Sequence, residues 1–117
     1  MNQQHYWVYI MAGAGKTLYI GLTNNLMRRV WEHKTRLVRG FTSKYNLDRL
    51  VYYVEFSTPA EAIAHEKRLK GWVRRKKDEI IHEFSPDGHD LAADWFDLAP
   101  QNGIAPGDSS VAQAPSE

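Results

Sequence analysis

The chain has 117 residues, enough for one domain with a single modest core. It contains no cysteine, which excludes a disulfide framework and a thiolate metal centre. No stretch is long and apolar enough to span a membrane, and Met1–His5 lacks the basic-then-apolar pattern of a signal peptide, so a cytoplasmic protein is expected.

Tyr6–Met11 is aromatic and β-branched and predicts a strand. Ala12–Lys16 is small and Gly-rich and predicts a turn, and Leu18–Leu22 predicts a second strand, so the two form a hairpin. Thr23 or Asn24 is placed to cap a helix from about Leu26 to Leu37, since a short polar side chain accepts the free N–H groups there. Gly40–Asn46 predicts a loop, and Leu50–Phe56 a third strand. Ser57-Thr58-Pro59 opens a second helix, a cap residue followed by proline in the first turn, that reaches Gly71 or beyond. Lys77–Phe84 predicts a third, short helix. From Ala99 the composition turns to Ala, Pro, Gly, Ser and Asn without periodicity, too little apolar surface to offset chain entropy. The expected organisation is one domain over residues 1–98 and a disordered tail over 99–117.

Charge is segregated along this plan although the net value is only +1. Residues 28–77 hold 14 of the 15 Lys and Arg residues against five acids, whereas residues 78–117 hold nine acids and no Lys or Arg. Such asymmetry points to a nucleic-acid partner for the basic segment, against the plainer reading of a solvated basic surface.

Gly15-Lys16-Thr17 has the end of a phosphate-loop pattern, but Ile10 stands where the first glycine belongs and a strand follows, so the hairpin turn explains it better. Tyr9 and Tyr19 lie ten residues apart in the paired strands; each alone is an ordinary sheet tyrosine, but on one face their phenols converge. Arg29, His33 and Arg36 share one helix face, and His33 falls close to the apolar line of Leu26, Val30 and Leu37. Ala62, Glu66, Leu69 and Val73 follow core-facing spacing, and a carboxylate on such a stripe is costly unless paired or bound to a cation. An ion pair with a neighbouring Lys or Arg satisfies it; so does magnesium, which is often held by one or two carboxylates with water and phosphate completing its shell.

Tyr19-Ile20-Gly21, an arginine eight residues later and a histidine four further on resemble the GIY-YIG nuclease superfamily, a domain that also forms the N-terminal nuclease module of the bacterial excinuclease. Gly40-Phe41-Thr42-Ser43-Lys44-Tyr45-Asn46 and Glu66-Lys67-Arg68-Leu69-Lys70-Gly71-Trp72 resemble its small stand-alone bacterial group, and the similarity covers about residues 5–98. The sequence departs from the pattern at Trp7, where the first motif often has glycine, and at Ala92-Ala93-Asp94-Trp95, where the small group often has Asn-Pro-x-Trp.

The resemblance implies an α+β fold, a three-stranded antiparallel sheet flanked by helices in the order strand-strand-helix-strand-helix-helix. It implies catalytic roles for Tyr9, Tyr19, Arg29 and His33 and a metal-binding role for Glu66. The implied reaction is metal-dependent hydrolysis of DNA phosphodiesters with magnesium, or manganese in its place. Tyr9, Tyr19 and His33 are all candidates for the base, and Lys44, Lys67, Lys70 and Arg74 are candidate contacts to the DNA backbone. With no second recognition domain, a preference for structure or strand state is expected over tight sequence specificity. The rival expectation is a non-catalytic nucleic-acid-binding module of the same fold; a further rival is a domain whose basic patch binds an acidic protein.

Overall fold

The computed structural model describes residues 5–13, 15–35 and 47–96. Strands β1 (Tyr6–Ala12), β2 (Leu18–Thr23) and β3 (Arg49–Phe56) form one antiparallel sheet in the order β2-β1-β3. Helix α1 (Leu26–Lys34) follows β2, and α2 (Pro59–Gly71) and α3 (Arg74–Phe84) follow β3. This is the expected α+β architecture in the expected order. Among the described residues no helix is long and apolar enough to cross a membrane.

β1 is the central strand because its residues are apolar on both sides; Val8 to Ala12 are all buried. Side chains alternate across a strand. Val8, Ile10 and Ala12 accordingly join Ile20, Val51 and Tyr52 against Ala62 and Leu69 of α2, with Ile80 and Ile81 of α3 at the margin. Tyr9 and Met11 face the other way, onto Leu26 and Val30 of α1 and onto Leu50 and Ala92. The sheet is thus a middle layer, with α1 on one side and α2 and α3 on the other. Between β1 and β3 the register shifts by one: Ile10 lies opposite Tyr52 but Met11 opposite Leu50, which leaves Val51 as an extra residue.

The β1–β2 turn is closed by Gly13 N–H donating to the Thr17 carbonyl at 3.3 Å, with Gly15 at φ +79°. Asn25, not Thr23 or Asn24, caps α1, its side chain accepting the Arg28 N–H at 3.2 Å. Thr23 is still part of β2 and buried; its hydroxyl accepts the Asn25 N–H at 3.0 Å and so holds the capping residue in place. Thr35 ends α1 with its N–H on the Trp31 carbonyl at 2.9 Å, while Arg36, Leu37, the expected loop at 40–46 and the expected tail at 99–117 lie outside the described residues.

Thr58 and Pro59 start α2 as expected, with the Thr58 hydroxyl accepting the Glu61 N–H at 3.3 Å. The helix does not run past Gly71. Val73, expected on its apolar stripe, is 63% exposed and serves as the N-cap of α3. α3 starts at Arg74, three residues before the expected Lys77, because Arg74 and Arg75 find Asp78 and Glu79 one turn on, at 2.8 and 3.4 Å. A run of four cations carries no apolar period, which hides this first turn from pattern reading.

The segment after α3 is pinned across the α1 side of the sheet by one carboxylate. Asp90 Oδ1 accepts the N–H groups of Leu50 and Ala92 at 2.9 and 3.0 Å, and its Oδ2 pairs with Lys34 of α1. Trp95 then stacks edge-on against Tyr53, with ring centroids 5.8 Å apart.

Candidate active site

In the β1–β2 register Tyr9 lies opposite Gly21, and Tyr19 stands two residues before Gly21, so both tyrosines project from one face of the sheet. Their ring centroids are 6.2 Å apart. Gly21 makes this possible: a Cβ there would stand 2.5 Å from Tyr9 Oη and 2.9 Å from Tyr19 Cε2. The absence of a side chain at Gly21 is therefore the space that the Tyr9 phenol fills, a role that its tripeptide alone does not reveal.

α1 crosses above. Its apolar stripe, Leu26 and Val30, carries His33 into the same layer, where the imidazole is 2% exposed. His33 Nε2 is 2.9 Å from Tyr9 Oη, and the ring centroids of Tyr9 and Tyr19 lie 5.6 and 5.2 Å from that of His33. His33 Nδ1 is buried with no hydrogen-bond partner among the described residues. Burial, reinforced by the Arg29 guanidinium, pulls the His33 pKa down to about 4, so the ring is neutral at pH 7. Burial pushes the Tyr9 phenol well above its ordinary value; Tyr19, Glu32 and Glu66 add to this through their charges and Arg29 opposes it. At neutral pH the pair is a protonated phenol hydrogen-bonded to a neutral imidazole.

Arg29, one turn before His33, is half exposed and pairs with Glu32 at 3.3 Å. Arg28 reaches the same carboxylate at 3.3 Å. Thr23, Asn24, Asn25, Arg28, Arg29 and Glu32 line a depression of about 330 Å³, roomy enough for a phosphate group. Glu32 is not among the site residues expected from sequence; its signal is the i+3 and i+4 spacing from two arginines.

Glu66 comes from α2, which packs on the other side of the sheet along β2, and its charge is nevertheless felt at the Tyr9 phenol. Its side chain is 20% exposed and pairs with Lys70, one turn on, at 3.0 Å. The structure thus brings Tyr9, Tyr19, Arg29 and His33 together, with Glu66 within electrostatic reach. Of the candidate backbone contacts, Lys67 is exposed on α2 and Lys70 is engaged by Glu66. Arg74 is tied to the hairpin turn through the Lys16 carbonyl at 2.5 Å and to Asp78. Lys44 lies outside the described residues.

Residues 5–79 match the family of the GIY-YIG catalytic domain. The chain belongs to the GIY-YIG family. Among its relatives is a UPF0213 protein of Bacillus pumilus, 34% identical over 83 residues that cover 71% of this chain and 85% of the relative. A UPF0213 protein of Haloquadratum walsbyi is 34% identical over 71% of this chain and 92% of its own length. The solution NMR structure of a UPF0213 protein from Bacillus halodurans matches with a TM-score of 0.50 at 25% identity, covering 77% of this chain and 97% of that one. The chain is therefore one of the small stand-alone GIY-YIG proteins, and its fold is that of a nuclease family.

GIY-YIG nucleases generally use divalent metal ions. Among the described residues no group of three or more His, Asp or Glu could hold an ion. Besides Glu32, which Arg28 and Arg29 engage, the carboxylate in reach is Glu66, mostly but not fully buried, with an exposed lysine as its counter-charge. That donor set fits magnesium in the mode where water and substrate phosphate supply the remaining oxygens. It does not fit zinc, which takes three or four nitrogen or sulfur ligands.

Proposed function

We propose that this chain is a magnesium-dependent DNA endonuclease of the cytoplasm that hydrolyses phosphodiester bonds, with a preference for DNA structure or strand state rather than for a tight sequence. The observation that carries this reading is the Tyr9–His33 hydrogen bond, buried under Arg29 and within the field of Glu66. Among the described residues His33 Nδ1 is buried without a partner, which leaves that nitrogen available to chemistry.

Arg29 donates N–H bonds to the scissile phosphate, exchanging Glu32 for it, and these bonds strengthen as negative charge builds in the transition state. Glu66 would hold a divalent ion, which would supply Lewis-acid stabilisation at the phosphate. Tyr9 Oη takes the proton of the attacking water while its own proton passes to His33 Nε2, so no free phenolate is required. Tyr19 packs beside both rings. Exposed Lys67 supports the backbone of the DNA, and Lys44 and Arg74 are further contacts on this reading.

The test is incubation of the purified protein with single-stranded, duplex and branched DNA, with magnesium, with manganese and with EDTA. Cleavage with either metal and none in EDTA is expected. Salt-sensitive DNA binding without cleavage on any substrate would leave a non-catalytic binding module instead.

A further inference from the structure

Glu66 and Lys70 stand four residues apart near the end of α2, with the carboxylate on the N-terminal side, the favoured order for a helical ion pair. They differ in their surroundings. The Glu66 side chain is 20% exposed and projects its charge onto Tyr9, whereas the Lys70 side chain is 55% exposed. The ammonium lies 3.0 Å from Glu66 Oε2 and is the more exposed member of the pair. A half-buried carboxylate with no counter-charge is costly, and the site supplies one from its own helix. A lysine is suited to that post, being a point charge on a flexible stem that leaves by rotation and without breaking a bidentate lock.

We propose that Lys70 is a placeholder cation: it neutralises Glu66 in the free protein, gives up that place to a divalent ion, and its released ammonium then binds a phosphate of the DNA. The inference rests on the metal-binding reading of Glu66 and adds a residue to it. It makes metal binding and DNA binding mutually reinforcing, because each removes a partner that competes with the other. Glu66 is never left bare, so the free protein carries no uncompensated carboxylate to repel an approaching phosphate.

The experiment is a titration of the free protein with Mn²⁺, followed by the loss of its free-ion electron paramagnetic resonance signal, on the parent chain, Lys70→Gln, Lys70→Arg and Glu66→Gln. The pair is solvent-exposed on the lysine side, so all four fold, which a circular dichroism melt verifies. Removing the competing charge tightens Mn²⁺ binding about five-fold in Lys70→Gln, from two charges about 4 Å apart in a watery medium. Lys70→Arg keeps the charge and binds as the parent does, and Glu66→Gln loses the site. Equal affinity in Lys70→Gln and the parent, with Glu66→Gln still defective, overturns the placeholder role while the Glu66 reading stands. No Glu66-dependent Mn²⁺ signal in any variant overturns both.

A second arm measures the salt dependence of binding to a 20-base-pair duplex, in EDTA and in Ca²⁺. In EDTA the parent and Lys70→Gln have the same slope; in Ca²⁺ the parent is steeper by about 0.9, one phosphate contact. Slopes that differ equally in both buffers, or in neither, overturn the release of Lys70 to phosphate.

Discussion

The sheet carries a tyrosine–histidine hydrogen bond on each of its two sides, and the contrast between them locates the chemistry. On the α1 side Tyr9 Oη and His33 Nε2 are 2.9 Å apart; on the α2 side Tyr52 Oη and His65 Nε2 are 2.8 Å apart. The bonds are alike, but the company is not. Tyr52 and His65 sit among rings, with Phe84 4.6 Å from Tyr52 and Phe56 5.2 Å from His65, and Arg68 satisfies His65 Nδ1 at 3.2 Å. Tyr9 and His33 sit among charges: Arg29, Glu32 and Glu66 all act on the phenol, and His33 Nδ1 has no partner among the described residues. A residue pair does not make a site; a saturated pair in an aromatic setting holds a helix to a strand, and an unsaturated one facing cations and carboxylates is equipped to move a proton.

The largest expected effect is at Glu66, a carboxylate that stands on α2 yet acts electrostatically on Tyr9. Glu66→Gln is expected to reduce magnesium-dependent cleavage to background, while the stability of the metal-free protein changes by no more than about 0.5 kcal/mol, the size of an exposed i,i+4 pair. Cleavage time courses and thermal melts check both halves; a mutant that melts early yet still cuts removes Glu66 from the reaction.

Tyr9→Phe and Tyr52→Phe delete the same hydroxyl from the two pairs. Loss of the proton path lowers the cleavage rate about 10²–10⁴-fold for Tyr9, whereas Tyr52→Phe stays within about two-fold of the parent, as expected for a group outside the reaction. Comparable losses in the two variants would show that the charged surroundings of Tyr9 do not matter. Arg29→Ala should cost turnover about 10²-fold with a smaller loss in DNA affinity, because its hydrogen bonds gain strength only as the phosphate gains charge. Equal losses in both would reduce it to a backbone contact.

A separate effect is on stability, through the histidines. The His33 pKa falls to about 4 in the folded chain, from an ordinary value of about 6.5. Between those values the unfolded chain binds the extra proton, so stability falls as pH drops through that window and levels off below about 4. The full effect is on the order of 3 kcal/mol. His65 is lowered too, by burial and then by Arg68, and it contributes with the same sign. Denaturant titrations between pH 4 and 7 on His33→Gln and His65→Gln should flatten the slope more for His33; the reverse order would mean that His33 is better hydrated than its geometry shows.

Much of this is legible in the sequence where a side chain and its period agree. The three strands, the Thr58–Pro59 helix start and the meeting of Tyr9 with Tyr19 all follow from alternation and capping. What pattern alone misses depends on contacts between elements or on which neighbour a side chain chooses. Thr23 is a fair capping residue by composition, but β2 needs it as its last buried position, which moves the cap to Asn25. Spacing marks Glu66 as a core-stripe carboxylate satisfied by a neighbouring Lys or Arg or by a cation, and Lys70 as a basic residue open to DNA; the structure identifies Lys70 as the ion-pair partner. Gly21 belongs to a recognisable tripeptide, although its function is set by the Tyr9 ring across the strand pair.

The extra residue in β3 has a consequence of another kind. Because Val51 is unmatched by β1, Val51 and Tyr52 both face α2 although they are neighbours, and Leu50 and Tyr53 face α1 on either side of them. The strand therefore has no second alignment in which its two halves are both correctly oriented. Substitutions in β3 alter packing locally, but a one-residue deletion or insertion there inverts half the strand and takes Tyr53 or Leu50 out from under the site. Over evolutionary time this stretch should drift freely in spelling and hardly at all in length.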